Sequence, residues 1–287
     1  MLKETFELNN GRVIPKIGLG TWLLDNDQAE KAVISAIRLG YRMIDTAQAY
    51  ENEESVGRGV KASGAARSSL FIGSKIAAEN KSYASAAASI DESLQKMHLD
   101  YLDQMIIHSP QPWKEVNQSS NRYQEENLEV WRALCDAQKA GKVLSIGVSN
   151  FNESDLQNIL DHSDTVPQMN QILCHISNTP QALIDFCKRN HILPEAYSPI
   201  AHGMALKNPK IAAIAEKYNV SPAQLCVRYD IQLGLVALPK TANPEHMKNN
   251  ANVDFNISDQ DMEVLKNIEH IKDYGDSSFF PIFGGKL

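Results

Sequence analysis

The stretch QAEKAVISAIRLGYRMID (residues 28–45) contains the two kinds of element that repeat along the chain. Its first part, Gln28–Leu39, places apolar residues at helical spacing on one face, and Gly40 stands where such a helix should stop. Its last part, Arg42–Asp45, is a short apolar run that ends in a carboxylate. The stretch therefore predicts a helix that leads into a buried strand with a polar end.

The same alternation extends over most of the chain. Predicted strands are Ile17–Thr21, Arg42–Asp45, Leu70–Ser74, Leu102–His108, Leu144–Ser149, Gln168–Leu173, Leu193–Ser198 and Leu235–Pro239. Predicted helices are Gln28–Leu39, Ala84–Met97, Asn127–Lys139, Glu153–Leu160, Gln181–Arg189, Pro209–Tyr218 and Pro222–Gln232. Alternation of this kind indicates parallel strand–helix units.

No linker or change of composition interrupts these units, so a single domain over residues 1–287 is expected. Eight units in this length fit a closed (β/α)8 barrel, with an open doubly wound sheet as the alternative. Ahead of the barrel, TFELNNGRVIP (residues 5–15) predicts a β-hairpin that turns at Asn10-Gly11.

Composition and charge exclude several classes of protein. The chain is 43% hydrophobic and 22% charged, which is ordinary for a globular protein and excludes a mostly disordered one. Its net charge of −7, without a basic block, argues against nucleic-acid partners. No apolar run approaches the roughly 20 residues of a membrane span. Scattered cysteines and the lack of a visible secretory signal favour a cytoplasmic location.

Nearly every predicted strand carries, at or near its end, a polar residue of a type used in catalysis or ligand binding. These residues are Thr21, Asp45, Lys75, His108, Ser149, Asn150, Gln171, Tyr197, Ser198 and Lys240. Any one of them has a plain explanation, because loops are solvated. In a closed barrel, however, all of them converge on one mouth, where barrel enzymes build their active sites.

Four residues of this set and its loops suit carbonyl chemistry. Asp45 and Lys75 carry opposite charges and are expected to pair if they are buried. Tyr50 follows Asp45 closely, and a nearby ammonium would lower the pKa of its phenol, which would make it a general acid. His108 is placed to polarise a substrate oxygen. No nucleophile–base dyad typical of hydrolases accompanies them.

The sequence lacks the usual nucleotide fingerprints, since no GxGxxG follows a strand and no GxxxxGK[ST] occurs. The stretch LPKTANPEHMKNN (residues 238–250) instead places Lys240 and Thr241 before a predicted helix start near Pro244. Phosphate sites of barrels are often built at this position. An ordinary solvated loop is the alternative interpretation.

Several long motifs, in order, resemble those of the aldo-keto reductases over nearly the whole chain. They are IPKIGLGTW (14–22), GYRMIDTAQAYENEESVGRGV (40–60), LFIGSKI (70–76), YLDQMIIHSPQP (101–112), GKVLSIGVSNF (141–151), QMNQILCH (168–175), AYSPI (196–200) and LPKTANPEHMKNN (238–250). Within the family the chain resembles the bacterial branch that includes 2,5-diketo-gluconate reductases. The resemblance implies a (β/α)8 barrel and NADPH-dependent interconversion of carbonyls and alcohols.

The resemblance also implies roles for individual residues. The family's catalytic tetrad falls on Asp45, Tyr50, Lys75 and His108, with Tyr50 as the proton donor. The implied cofactor contacts are Gly20, Thr21, Ser149, Asn150, Gln171, Tyr197, Ser198, Lys240, Thr241, His246, Asn249 and Asn250. The implied substrate pocket contains Trp22, His108, Ser109 and Trp113.

The chain departs from the family pattern at three of these positions. His246 replaces an arginine of the cofactor loop and Asn249 replaces an acidic residue, so NADH is an alternative cofactor beside NADPH. Ser109 replaces a tryptophan that often follows the histidine. This predicts a wider, more polar pocket there, or a substitute wall from the loop Ser109–Gln124 with Trp113 and Tyr123.

Other interpretations remain open at this point. A nucleotide-binding regulatory barrel without turnover and a Schiff-base lyase that uses Lys75 are the competing functions. No metal is expected, because Cys174-His175 lacks further ligands. A monomer is expected, and His202 is assigned to the surface. The apolar tail Asp276–Leu287 is expected to pack on the outer helices or to form a pocket wall.

Overall fold

A computed structural model describes all residues, 1–287. The strands are β1 Thr5–Glu7, β2 Val13–Pro15, β3 Leu19–Gly20, β4 Met43–Asp45, β5 Phe71–Ile76, β6 Leu102–Ile107, β7 Val143–Ser149, β8 Met169–Leu173, β9 Leu193–Tyr197 and β10 Val236–Leu238. The helices are α1 Asn26–Leu39, α2 Glu53–Ser63, α3 Tyr83–Met97, α4 Gln124–Lys139, α5 Glu153–His162, α6 Gln181–Arg189, α7 Pro209–Lys217, α8 Pro222–Gln232, α9 Pro244–Ala251 and α10 Asp259–Lys266.

The eight strands β3 to β10 form one parallel sheet in chain order. The sheet closes on itself, because Gly18 N donates to Ala237 O at 3.0 Å and Gly20 N donates to Pro239 O at 3.1 Å. Each predicted strand overlaps one of these eight. The (β/α)8 barrel is therefore confirmed, and the open doubly wound sheet is excluded.

The predicted N-terminal hairpin is also present. Strands β1 and β2 pair antiparallel, and Gly11 turns the chain with a φ of +78°, which favours glycine. Leu8 and Ile14 of the hairpin pack with Met43 and Val236, which are the first residues of their strands. The hairpin thus covers the end of the barrel at which the strands begin, and leaves the other end open.

Local capping signals in the sequence set several helix boundaries. Ser221 caps α8, because its side chain accepts from Gln224 N while Gln224 reaches back to Ser221 N. Gly40 ends α1 with a φ of +105°, as its position predicts. The sequence did not delimit α10, whose eight residues are mostly polar. None of the ten helices has the length and hydrophobicity that a membrane crossing needs.

Gly57 lies in α2 where this helix meets the C-terminal end of α3. A Cβ at this position would lie 2.6 Å from the Cα of Met97, which is backbone and has little room to move. We therefore expect Gly57→Ala to destabilise the protein by about 1–3 kcal/mol, although alanine favours helices by roughly 1 kcal/mol over glycine. Urea unfolding measures the change.

Lys61→Ala on the exposed side of the same helix is the matched control, and we expect it to change stability by less than about 0.5 kcal/mol. An increase in stability for Gly57→Ala would show that the two helices separate readily, contrary to this packing.

Candidate active site

The open end of the barrel holds a cavity of about 740 Å³. It lies at the carboxyl ends of the strands, where side chains from many strands meet. Among the residues that line it are Gly20, Thr21, Trp22, Asp45, Tyr50, His108, Trp113, Ser149, Asn150, Gln171, Tyr197, Ser198 and Lys240. The fold thus gathers most of the predicted site residues in one place.

Asp45 and Lys75 form an ion pair beneath this cavity. Lys75 is fully buried and donates to Asp45 Oδ2 at 2.6 Å and to Thr46 O at 2.8 Å. The other oxygen of the carboxylate, Asp45 Oδ1, accepts from Gln171 Nε2 at 3.0 Å. Burial lowers the pKa of Lys75, but the Asp45 charge and the Tyr50 phenol together outweigh burial and raise it. Lys75 therefore stays protonated, and the expected pairing is confirmed.

Tyr50 stands at the end of a short 3₁₀ turn, Gln48–Tyr50. The side chain of Gln48 fixes this turn, since it accepts from Ala77 N at 2.8 Å and donates to Ser89 O at 3.0 Å. The Tyr50 ring centroid lies 4.9 Å from Lys75 Nζ, with the His108 ring beside it at 5.5 Å between centroids.

The prediction that Lys75 lowers the pKa of Tyr50 is wrong for the net effect. Burial raises the pKa of Tyr50, and the positive charge of Lys75 offsets this only in part. The phenol is therefore fully protonated near neutral pH. Lys75 still favours the phenolate over what burial alone would allow, so it stabilises the anion left when Tyr50 gives up its proton.

His108 is buried beside the cavity as a neutral imidazole. Burial first, and then the charge of Lys75, lower its pKa well below the usual value. Neither ring nitrogen bonds to the protein, and Nδ1 is buried without a partner. The Trp113 ring packs edge-on against it at 4.9 Å between centroids. A neutral ring carries one N–H, which is suited to donate to a substrate oxygen.

The far wall of the cavity is a connected set of polar side chains. Asn150 has a left-handed backbone, and its Nδ2 donates to His108 O at 3.0 Å. Its Oδ1 accepts from the Tyr197 hydroxyl at 2.6 Å, which fixes the orientation of that ring. At the rim, Lys240 is exposed and forms no ion pair with any carboxylate. An unpaired ammonium at the rim is suited to bind an anion.

Four predicted cofactor residues lie beyond this cavity. Thr241, His246, Asn249 and Asn250 follow Lys240 in the loop and in α9, and none lines the cavity. The helix turns Met247 and Asn250 inward and leaves His246 and Asn249 exposed. The cavity therefore reaches this loop only through Lys240.

The prediction of Ser109 as a pocket residue is wrong. Its side chain is buried in its own loop, where Oγ accepts from Gln111 N at 3.2 Å. Trp113 of the same loop takes the wall position instead, as one of the two alternatives predicted. Tyr123 does not contribute, since its hydroxyl bonds to Glu115 away from the cavity.

The apolar tail completes the wall. Phe280 packs against Trp113 at 4.8 Å and against Trp22 at 5.4 Å between ring centroids. Phe283 packs beside them, 6.0 Å from Trp22. Of the two expectations for the tail, the pocket wall is therefore the one the structure supports.

Two polar residues of the site were not found from the sequence. His202, assigned to the surface, lines the cavity and bonds Ser198 Oγ at 3.0 Å and Ser277 Oγ at 2.9 Å. Glu195 is fully buried in β9 and accepts from Gln171 Nε2 at 2.8 Å. The signal for Glu195 was visible, because it is a carboxylate inside an otherwise apolar strand, LPEAY.

Comparison with known proteins shows which family the chain belongs to. The model of the aldo/keto reductase family matches residues 16–270. The chain belongs to the aldo/keto reductase family. This family membership makes it an oxidoreductase with a (β/α)8 barrel.

Individual relatives of this aldo/keto reductase are similar over most of their length. It is 40% identical over 266 residues to the glyoxal reductase of Bacillus subtilis, covering 92% of each chain. It is 37% identical over 267 residues to 2,5-diketo-D-gluconic acid reductase B of a Corynebacterium species, covering 92% of this chain and 93% of the relative. A Bombyx mori aldo-keto reductase solved in complex with NADP superimposes with a TM-score of 0.86 at 31% identity, with 98% of each chain covered.

The buried ion pair of this aldo/keto reductase yields a stability prediction. Lys75→Met leaves the Asp45 carboxylate buried without its cation, so we expect a loss of about 3–5 kcal/mol in the free energy of unfolding. Urea unfolding of the variant measures it.

The double variant Lys75→Met with Asp45→Asn removes both charges and should recover a large part of the loss. Equal stability of Lys75→Met and the parent would mean that the burial of Asp45 does not depend on the Lys75 ammonium, against the pairing described here.

Proposed function

We propose that this protein is an NADPH-dependent carbonyl reductase that reduces aldehydes and ketones, or oxidises the corresponding alcohols. The observation that carries the proposal is the position of Tyr50. Its phenol lies over the Lys75–Asp45 pair and beside the neutral His108, at the wall of an open cavity. A protonated phenol, a fixed cation and an imidazole N–H together suit the protonation of a carbonyl oxygen.

The residues of the cavity fit a nicotinamide nucleotide. Lys240 offers an unpaired ammonium for a phosphate, and Ser198 lies on the same wall. Gln171 Oε1 receives no protein donor, so it is free to accept from the carboxamide of the nicotinamide. Tyr197 presents an oriented ring for stacking. The complex of the Bombyx mori relative with NADP supports this choice, and Thr241, His246, Asn249 and Asn250 would lie near the adenosine end.

When bound, the nicotinamide supplies the hydride. The protein's own groups handle the oxygen. His108 donates an N–H to the carbonyl oxygen and orients it, and Tyr50 delivers the proton as charge develops there. Lys75 stabilises the phenolate that remains, and Asp45 holds Lys75 in place and protonated. Oxidation of an alcohol uses the same groups with Tyr50 accepting the proton.

The aromatic wall favours small substrates with a partly apolar face. Trp22, Trp113 and Phe280 enclose the side of the cavity next to His108. The names of two relatives, a glyoxal reductase and a diketo-gluconic acid reductase, make dicarbonyls the first substrates to test.

Replacement of the proton donor tests the proposal most directly. Tyr50→Phe keeps the ring and removes the hydroxyl, so we expect kcat for carbonyl reduction to fall by roughly 10²- to 10⁴-fold. The Kd for NADPH, measured by fluorescence quenching, should stay as in the parent. Full turnover by Tyr50→Phe would refute the assignment. NADPH binding by the parent without turnover of any carbonyl would favour the regulatory barrel.

The role of Lys240 yields a separate test of the cofactor. Lys240→Met removes the ammonium that would face the 2′-phosphate of NADPH, so we expect the Kd for NADPH to rise by roughly 10- to 100-fold, about 1.5–3 kcal/mol for a charged hydrogen bond. The Kd for NADH should change little.

Lys248→Met is the matched control, because Lys248 is exposed on α9 and pairs with Glu245. Equal effects of Lys240→Met on NADPH and NADH would show that Lys240 does not distinguish the two cofactors by the 2′-phosphate.

A further inference from the structure

Glu195 is a buried carboxyl group that the mechanism above does not use. It has no solvent exposure and lies in the middle of β9, inside the barrel. Its Oε2 accepts from Gln171 Nε2 at 2.8 Å and from Gln104 Nε2 at 3.1 Å. A buried carboxyl group lowers stability unless its interactions compensate, so its presence next to the site calls for a physical explanation.

The barrel fixes Glu195 and Gln171 side by side. They are register partners on the adjacent parallel strands β9 and β8, so their side chains leave the sheet at the same level. The amide nitrogen of Gln171 also donates to Asp45 Oδ1 at 3.0 Å. One amide group is therefore held between two carboxyl groups.

This arrangement determines which way the Gln171 amide points. Both of its N–H groups have acceptors, and a flipped amide would place its oxygen against the oxygens of Asp45 and Glu195. Oε1 is left without a protein donor, and Gln171 lines the cavity. The amide therefore presents its oxygen, an acceptor, to the cavity, while its N–H donors stay bound to the two carboxyl groups.

We propose that Glu195 is a positioning residue that holds the amide of Gln171 with its oxygen toward the cavity, and so orients the carboxamide of the bound nicotinamide. This inference rests on the proposed function. A carboxamide N–H needs an acceptor, and its position decides which face of the nicotinamide ring is turned to the substrate. Glu195 acts on the cofactor only through Gln171.

The charges around Glu195 make this positioning sensitive to pH. Burial raises the pKa of Glu195 to about 7, and the negative charge of Asp45 on β4 adds to this rise. The hydrogen bond from Gln171 and the positive charge of Lys75 on β5 both act to lower the pKa. β8 and β10 bring no titratable group to it. An ionised carboxylate accepts more strongly than a protonated carboxyl group, so the hold on Gln171 strengthens as pH rises through about 7.

A double-mutant cycle on the Kd for NADPH tests the proposal. Glu195→Leu removes the acceptor, and Gln171→Leu removes the amide; each should weaken binding by roughly three- to tenfold, the range of a neutral hydrogen bond. The double variant should bind like Gln171→Leu alone, since Glu195 has nothing left to position.

Glu195→Gln keeps an acceptor without the charge. We expect it to bind NADPH like the parent below pH 7 and more weakly than the parent above it. The cofactor's own phosphate titration is common to both proteins and cancels in the ratio of the two Kd values. This variant also carries the test if Glu195→Leu does not fold.

Glu53→Gln is the matched control, because Glu53 is another buried carboxyl group, which accepts from Ser74 and is hydrogen-bonded to neither Gln171 nor Asp45. It should leave the Kd unchanged. A further readout is the transfer of label from NADPH deuterated on one face of the ring. The parent should transfer from one face only, and Glu195→Leu from both.

Losses that multiply in the double variant, or parent-like binding by Glu195→Leu, would overturn the role of Glu195. A ratio of Kd values for Glu195→Gln that does not change with pH would also count against it. A failure of the parent itself to bind NADPH would instead overturn the proposed function, so the two failures are distinct.

Discussion

The ion pair between Asp45 and Lys75 is the interaction on which the rest of the site depends. Two opposite charges inside a barrel are unfavourable unless each finds further hydrogen-bond partners. Here Thr46 O accepts a second hydrogen bond from the Lys75 ammonium, and Gln171 donates one to the other oxygen of the Asp45 carboxylate. Asp45, Lys75 and Gln171 stand on three different strands, β4, β5 and β8, and only a closed barrel brings the ends of those strands together. The buried ion pair therefore depends on the closed sheet.

The fold was predictable because local and global signals agree. Each apolar run became a strand, and capping residues such as Ser221 and Gly40 set helix ends as their chemistry dictates. The pairing of Asp45 with Lys75 followed from charge and position alone. α10 escaped prediction because its short, mostly polar surface gives only a weak periodic signal.

The errors within the site share a physical cause, which is that a sequence does not show how side chains turn. Ser109 was assigned to the pocket by position, but its loop directs Trp113 there instead. His202 was assigned to the surface, yet its loop folds back to bridge two serines. For Tyr50 the effect of the nearby cation was predictable, whereas the larger effect of burial depends on packing that only the fold supplies.

The tail has a consequence for how this molecule can diversify. Phe280 and Phe283 lie in the tail Asp276–Leu287, whereas Asp45, Tyr50, Lys75 and His108 stand on strands and their adjoining loops. No strand of the barrel depends on the tail for its hydrogen bonds. Changes in the tail's length or residues therefore alter the size and polarity of the pocket while the barrel stays intact. One part of the pocket wall therefore lies in a segment that is separate from Asp45, Tyr50, Lys75 and His108, and it can vary while those four residues stay in place.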